Sequence, residues 1–262
     1  MHLLIDEKSL KDVTHFFENK WGTYSATFFS SEESNIPDPT IVFAHGLGAQ
    51  KEWYSWIGDC LASQGYSALL FTVPSRRLQD PRQWSDGIKS AIDYLLSKES
   101  SLHDEICPEK VGVMGHSMGG LGALIAGSED QRIKCIVGLA PAVRPERLLE
   151  LKVNVNVRSI SVPVQLQIGS NDGLIVPESV KTFLESLHSE QRSYIEIDGG
   201  NHMRFADKTT SVMIGEYFSR FGMFGIVFGR RFQDRKAKIT FEEQHTISRS
   251  SFMEWFNRYL KQ

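Results

Sequence analysis

Apolar residues fall along this chain in short blocks that alternate between two periods. Thr40-Ile41-Val42-Phe43-Ala44 is a short apolar run, and Ile133-Lys134-Cys135-Ile136-Val137-Gly138-Leu139 and Pro163-Val164-Gln165-Leu166-Gln167-Ile168-Gly169 are further short, mostly apolar blocks. Runs of this length bounded by turn residues predict buried strands. Lys110 to Met114 also suits a buried strand, Gly65 to Val73 and Tyr194 to Ile197 read as strands, and Thr23 to Phe29 reads as an outer strand. Between them the spacing changes to the helical one. Trp84, Ile88, Ala91, Ile92, Leu95 and Leu96 predict an amphipathic helix over 83–97. A helix is expected from Glu52 to Ser63, another over Gly120 to Ile125, and another at Val180, Phe183, Leu184 and Leu187. Phe252, Trp255, Phe256 and Leu260 mark a closing helix. Residues 1–20 carry little pattern, and Ser30 to Pro39 reads as a loop. Strands alternating with helices predict an α/β fold, a mostly parallel, doubly wound sheet with helices on both faces. The functional loops of such a sheet gather at the carboxyl ends of its strands.

Length changes this picture little: 262 residues suit a single domain, 1–262. A formal net charge of -3 with mixed signs argues against a nucleic-acid surface. Three cysteines, Cys60, Cys107 and Cys135, have neither disulfide-framework nor zinc-site spacing. No run approaches the ~18 apolar residues of a membrane span. Met1 to Glu7 lacks the basic start and apolar stretch of a secretory leader, so the expectation is a soluble cytoplasmic protein.

The candidate chemistry centres on Gly115-His116-Ser117-Met118-Gly119, placed between a predicted strand and a predicted helix. A serine with glycines two before and two after it, at a strand-to-helix junction, is the pattern of a nucleophile elbow. The turn is sharp enough to strain the serine and to exclude bulky neighbours. An alcohol needs a base, and the base needs a partner that fixes its tautomer. The strand ending at Gly169 delivers Asp172, followed by Val176-Pro177 at a helix start. The strand ending at Ile197 delivers Asp198-Gly199-Gly200-Asn201-His202. Ser117 as nucleophile, Asp172 as orienting acid and His202 as base fit the chain order nucleophile, acid, histidine. Asp198 is the substitute acid. Two backbone N–H groups are expected to form the oxyanion hole, from Met118 and from Leu47 in His45-Gly46-Leu47-Gly48. No metal or organic cofactor is required.

With these pieces in order, the chain resembles the α/β-hydrolases. It is most similar to the group of dienelactone hydrolase-like, chlorophyllase-like and cutinase-like polyester hydrolase proteins. The carrying motifs are HGLG at 45–48, GHSMGGLGAL at 115–124, GSNDGLIVP at 169–177 and DGGNH at 198–202. Ala237 to Gln244 resembles the segment before the last helix in some of these proteins. The resemblance puts Ser117, Asp172 and His202 at the triad positions and Leu47 and Met118 at the oxyanion positions. It implies a serine esterase acting on a small-molecule ester through an acyl-enzyme. A lactonase, thioesterase or acyltransferase would share every residue named, and a non-catalytic ligand-binding relative is the alternative of another class. Dienelactone hydrolases carry a cysteine where Ser117 stands. The cutinase-like group carries a tryptophan where Ala142 stands, so an aromatic polyester wall is not expected.

The remaining histidines have bland readings. His116 is expected to pack beneath the elbow and His45 to brace the oxyanion loop. His15, His103, His188 and His245 are expected to be solvated. Trp53 and Trp56 fit either a pocket lining or the core. The segment 205–236 carries Tyr217, Phe218, Phe221, Phe224 and Phe228 with Gly215, Gly222, Gly225 and Gly229 among them. It reads as a Phe-rich lid or flap, with a packed insertion serving the core or a homodimer contact as the alternative.

Overall fold

A computed structural model describes residues 14–30, 37–74, 80–143, 157–207 and 234–261. Its described strands are β1 (Thr14–Asn19), β2 (Gly22–Phe29), β3 (Asp38–Ala44), β4 (Ser67–Thr72), β5 (Ile106–His116), β6 (Ile133–Leu139), β7 (Val164–Gly169) and β8 (Arg192–Ile197). They form one sheet in the order β1-β2-β4-β3-β5-β6-β7-β8. The β1–β2 and β2–β4 pairs are antiparallel, and every other pair is parallel. Ile41, Val42, Phe43 and Ala44 on β3, and Val164, Leu166 and Ile168 on β7, are fully buried. On β3 both faces are therefore covered by apolar packing, which is why its sequence is a continuous apolar run. On β7 Gln165 and Gln167 alternate with the apolar residues and are buried as well, donating to the Ser251 and Ser248 carbonyls.

The described α-helices are α1 (Ser55–Ser63), α2 (Pro81–Leu96), α3 (Met118–Glu129), α4 (Pro177–Glu185) and α5 (Phe241–Leu260). Asp80 and Gln83 form a capping box at the start of α2, with Pro81 in the first turn. The helix buries Trp84, Ile88, Ala91, Ile92 and Leu95. At about 1.5–3 kcal/mol for each large buried apolar side chain, this face outweighs any propensity difference along the helix. No described helix is long and apolar enough to cross a membrane.

Several expectations need correction. Residues 1–20 contain a strand, β1, which the pattern did not reveal. Its exposure alternates, with Phe16 59% exposed and Phe17 buried and stacked on Tyr24 at 5.0 Å. The expected helix from Glu52 opens as a 3-10 turn, Lys51–Tyr54, before α1. The last helix starts at Phe241, so Phe241 to Gln244 belong to it rather than precede it; a capping box of Thr240 and Glu243 sets the start. His15 and His245 are buried, not solvated: His15 Nδ1 lies 3.0 Å from Tyr94 Oη, and the His245 ring stacks on Trp56 at 4.0 Å. Most of the Phe-rich segment, 208–233, lies outside the described residues.

Candidate active site

β5 ends at His116 and α3 begins at Met118, so Ser117 alone makes the turn. Its backbone sits at φ 54°, ψ -115°. A non-glycine residue there costs about 1–3 kcal/mol. Surrounding hydrogen bonds hold it. Ser117 N–H donates to the Leu139 carbonyl at 2.8 Å, and the Ser117 carbonyl accepts from Leu121 at 3.1 Å and Ala142 at 2.9 Å. The flanking glycines have a steric reason. A Cβ on Gly119 would lie 2.0 Å from the Ala44 carbonyl oxygen, and one on Gly115 would lie 2.3 Å from the Gly119 carbonyl. The start of α3 can lie this close to the ends of β3 and β5 only without side chains at those two points. Ser117 and Met118 are half-buried, while Gly119 to Ala126 are buried.

The loops after β7 and β8 supply the other two groups. A Cβ on Gly169 would lie 2.3 Å from the Gly200 carbonyl carbon, so the two loops leave their strands in contact. The Asp172 carboxylate is fully buried. Its Oδ1 accepts from Leu174 N–H at 2.8 Å and Ile175 N–H at 2.7 Å. Its Oδ2 lies 2.8 Å from His202 Nδ1. With the proton on Nδ1, a neutral His202 keeps its lone pair at Nε2. Asp198 is exposed and accepts from Ser170 Oγ at 3.2 Å instead.

A second chain of hydrogen bonds runs beneath these groups. His116 Nε2–H donates to the His202 carbonyl at 3.1 Å, so its Nδ1 is the acceptor for Tyr54 O–H at 2.7 Å. Tyr54 Oη in turn accepts from Gly46 N–H at 3.4 Å. Burial holds the His116 pKa well below the ordinary value, reinforced by the charges of His202 and His45. The His116 and His202 rings are 4.7 Å apart. A methyl group on Gly46 would lie 3.1 Å from His116 Nδ1 and 3.2 Å from Ser117 Cβ. The loop after β3, the elbow and the loop after β8 therefore meet at one place above the sheet.

His45 shapes the loop after β3 from its own end. Its Nε2 accepts from Val73 N–H at 2.9 Å, which leaves Nδ1–H to bond the Gly46 carbonyl at 2.6 Å. Trp84 Nε1–H donates to the His45 carbonyl at 2.7 Å. Leu47 and Gly48 follow, half-buried, with Gly48 at φ 69°. Trp53 is core, 1% exposed. Trp56 donates to the Phe205 carbonyl at 3.1 Å. Ala142 is half-buried next to the elbow.

Three contributors escaped the sequence reading. Tyr54 sits in the chain just described. Gln244, fully buried in the first turn of α5, clamps the backbone of Asn201: its Oε1 accepts from Asn201 N–H at 3.0 Å and its Nε2 donates to the Asn201 carbonyl at 2.9 Å. Asp234 accepts from the N–H groups of Gly173 and Met203. Only Gln244 left a signal, because it lies in a stretch already noted for its resemblance. Among the described residues no cluster of three or more His, Cys, Asp or Glu could hold a metal ion.

A mostly parallel sheet of this order, with a strained serine turn at the end of β5 and a carboxylate–imidazole pair on the loops after β7 and β8, defines the class: an α/β-hydrolase. A family model described as PETase, PET hydrolase-like, matches residues 23–254, and the chain belongs to that family. Cutinase est2 of Thermobifida alba is 28% identical over 223 residues, 84% of this chain and 67% of the relative. Bis(hydroxyethyl) terephthalate hydrolase of Streptomyces coelicolor is 29% identical over 194 residues, 72% of this chain and 58% of the relative. A solved structure described as DcsB in complex with its substrate analogue shares the fold, with a TM-score of 0.62 at 15% identity, over 84% of this chain and 99% of that one. The protein is a carboxylic ester hydrolase of the serine type.

Proposed function

We propose that Ser117 is the nucleophile, His202 its general base and Asp172 the group that orients the base. The observation that carries this reading is the buried 2.8 Å contact between His202 Nδ1 and Asp172 Oδ2, on loops that meet beside the strained Ser117. Ser117 Oγ attacks the ester carbonyl as His202 Nε2 takes its proton. The tetrahedral oxyanion is held by the N–H groups of Met118 and Leu47. As the intermediate collapses, His202 returns the proton to the departing alcohol and an acyl-enzyme remains. Water then attacks the acyl carbonyl, giving a proton to His202, which passes it back to Ser117 Oγ as the acid leaves. Asp172 holds and stabilises the imidazolium at each stage.

Substrate choice follows from the wall beside the elbow. The relatives named cutinase and bis(hydroxyethyl) terephthalate hydrolase bring polyesters and aromatic diesters into consideration. Of Leu139-Ala140-Pro141-Ala142 only Ala142 is partly exposed, so this stretch offers a methyl group there, with the Ala142 N–H spent on the Ser117 carbonyl. The reading is therefore a small soluble ester without a requirement for an aromatic acyl group. The test is a series of p-nitrophenyl esters of graded acyl length alongside bis(hydroxyethyl) terephthalate, with Ser117→Ala as control. Turnover of short and medium aliphatic esters that vanishes in the variant is expected. Equal rates for parent and variant would sink the nucleophile assignment, and turnover of the terephthalate diester alone would sink the substrate assignment.

A further inference from the structure

Asp234 comes 31 positions after Met203 in the chain, yet its carboxylate bridges the acid and base loops. Its Oδ1 accepts from Gly173 N–H at 2.8 Å and its Oδ2 accepts from Met203 N–H at 2.8 Å. Gly173 is the residue after Asp172, and Met203 is the residue after His202. One carboxylate thus spans the two residues that follow the acid and the base. Its own neighbour, Arg235 N–H, also donates to Oδ1 at 2.8 Å.

The residues around Asp234 extend the bridge into a strap. Asn201 Nδ2 donates to the Arg235 carbonyl at 2.6 Å, Asn171 Nδ2 donates to the Lys236 carbonyl, and Lys238 N–H donates to the Gly199 carbonyl at 2.7 Å. The strap lies so close that a Cβ on Gly173 would meet the Arg235 nitrogen at 2.5 Å. Both loops are therefore held from the same side, at residues before and after each functional side chain.

We propose that Asp234 is a positioning residue for the acid–base pair, fixing the Asp172 loop to the His202 loop and placing a second negative charge near the imidazole. The proposal rests on the assignment of Asp172 and His202 made above. Burial raises the Asp234 carboxyl above the usual range; the bonds from Met203 and Gly173 and the charge of His202 draw it back, and Asp172 repels it. Attraction between two groups is reciprocal, so the Asp234 charge favours the imidazolium. Among the described residues, Asp172 on the acid loop and His116 beneath the elbow also face His202. Arg204, two residues on, is engaged by the Ile239 carbonyl and lies over the Phe241 ring at 4.7 Å. Arg235, on the strap itself, is exposed.

The test is the pH profile of ester hydrolysis in Asp234→Asn. The amide can accept from Gly173 but presents N–H to Met203, so the base loop loses its tie. A fall in kcat of about tenfold with KM for a short ester nearly unchanged is expected. Loss of the charge should move the acid limb of kcat/KM to lower pH by about half a unit. A variant damaged only in its packing would lose activity without that shift. Asp234→Glu, which restores the charge, should return the limb to the parent position while kcat stays reduced. Asp234→Ser, uncharged and able to accept one N–H, should shift the limb as the amide does and decides the matter if the asparagine variant does not fold. A folded, uncharged variant with kcat within twofold of the parent and an unmoved acid limb overturns the proposal. His202→Asn and Ser117→Ala run alongside: turnover retained in the first means that the base assignment itself fails, and turnover retained in the second means that the nucleophile assignment fails. If both abolish turnover while the Asp234 variants match the parent, only the role of Asp234 falls.

Discussion

Replacing Ser117 by glycine should make the protein melt at a higher temperature than replacing it by alanine. Both changes remove the hydroxyl, so both should abolish ester hydrolysis, and the comparison isolates the backbone. Alanine keeps the Cβ that makes φ 54°, ψ -115° unfavourable; glycine does not. The strain is worth about 1–3 kcal/mol. Glycine gives back about 0.5–1 kcal/mol through the greater freedom of the unfolded chain. The net advantage of glycine is about 0–2.5 kcal/mol, centred on about 1 kcal/mol. For a chain of this size about 1 kcal/mol corresponds to ~2 °C, so a gap of about 2 °C, and at most about 5 °C, is expected. Thermal unfolding followed by circular dichroism, with both variants in one buffer, measures it. Ser117→Gly melting at or below Ser117→Ala would refute the reasoning. It would mean that the elbow conformation carries no strain, or that the bonds from Leu121 and Ala142 and the bond to the Leu139 carbonyl depend on the Cβ.

Two further outcomes follow from the surroundings of the site. In Asp172→Asn the two N–H donors at Leu174 and Ile175 will claim the amide oxygen, which turns the NH2 group toward His202 Nδ1. That selects the wrong imidazole tautomer, and kcat should fall by about 10⁴-fold while the melting temperature stays near that of the parent; a loss below tenfold would count against Asp172 as the orienting group. Burial lowers the pKa of His245 to about 4, and the bond to the Arg204 backbone offsets this only in part. Because this folded-state pKa lies below the unfolded value of about 6.5, the unfolded chain binds the proton first as pH falls. Its contribution is complete above pH ~6.5 and is lost progressively toward the folded-state pKa. The loss by pH ~5 is at most about 2 kcal/mol. His245→Phe keeps an aromatic ring on Trp56 and cannot protonate, so its melting temperature should fall less than that of the parent between pH ~7 and ~5, and parallel pH dependences would exclude this origin.

Much of the scaffold is legible in local sequence because local physics writes it. Strand β3 is buried on both faces by apolar packing and so appears as a continuous apolar run. The face of α2 repeats at helical spacing. The glycines at 115 and 119 are required by approach distances near 2 Å, which no side chain allows. Strand β1 escaped because it lies at the sheet edge, where only alternate residues are buried and Phe16 faces solvent. His245 was misread because nothing in its neighbourhood on the chain announces Trp56, which lies on α1, far away in sequence.

The site divides along the same line. The amino-acid sequence by itself determined the alternation of strand and helix, the serine turn, and the order in which elbow, acid and histidine motifs follow one another, since each depends on residues within a few positions. Tertiary structure alone decided which of Asp172 and Asp198 meets the imidazole, because both sit at strand ends and only the paths of two loops separate them. It also decided the proton positions of His45 and His116, and it brought Tyr54, Gln244 and Asp234 to the site. Those contacts join residues between 8 and 62 positions apart. Hydrogen-bond partners at such separations are chosen by the packing of the sheet edge, where several loops converge, and no local periodicity encodes that choice.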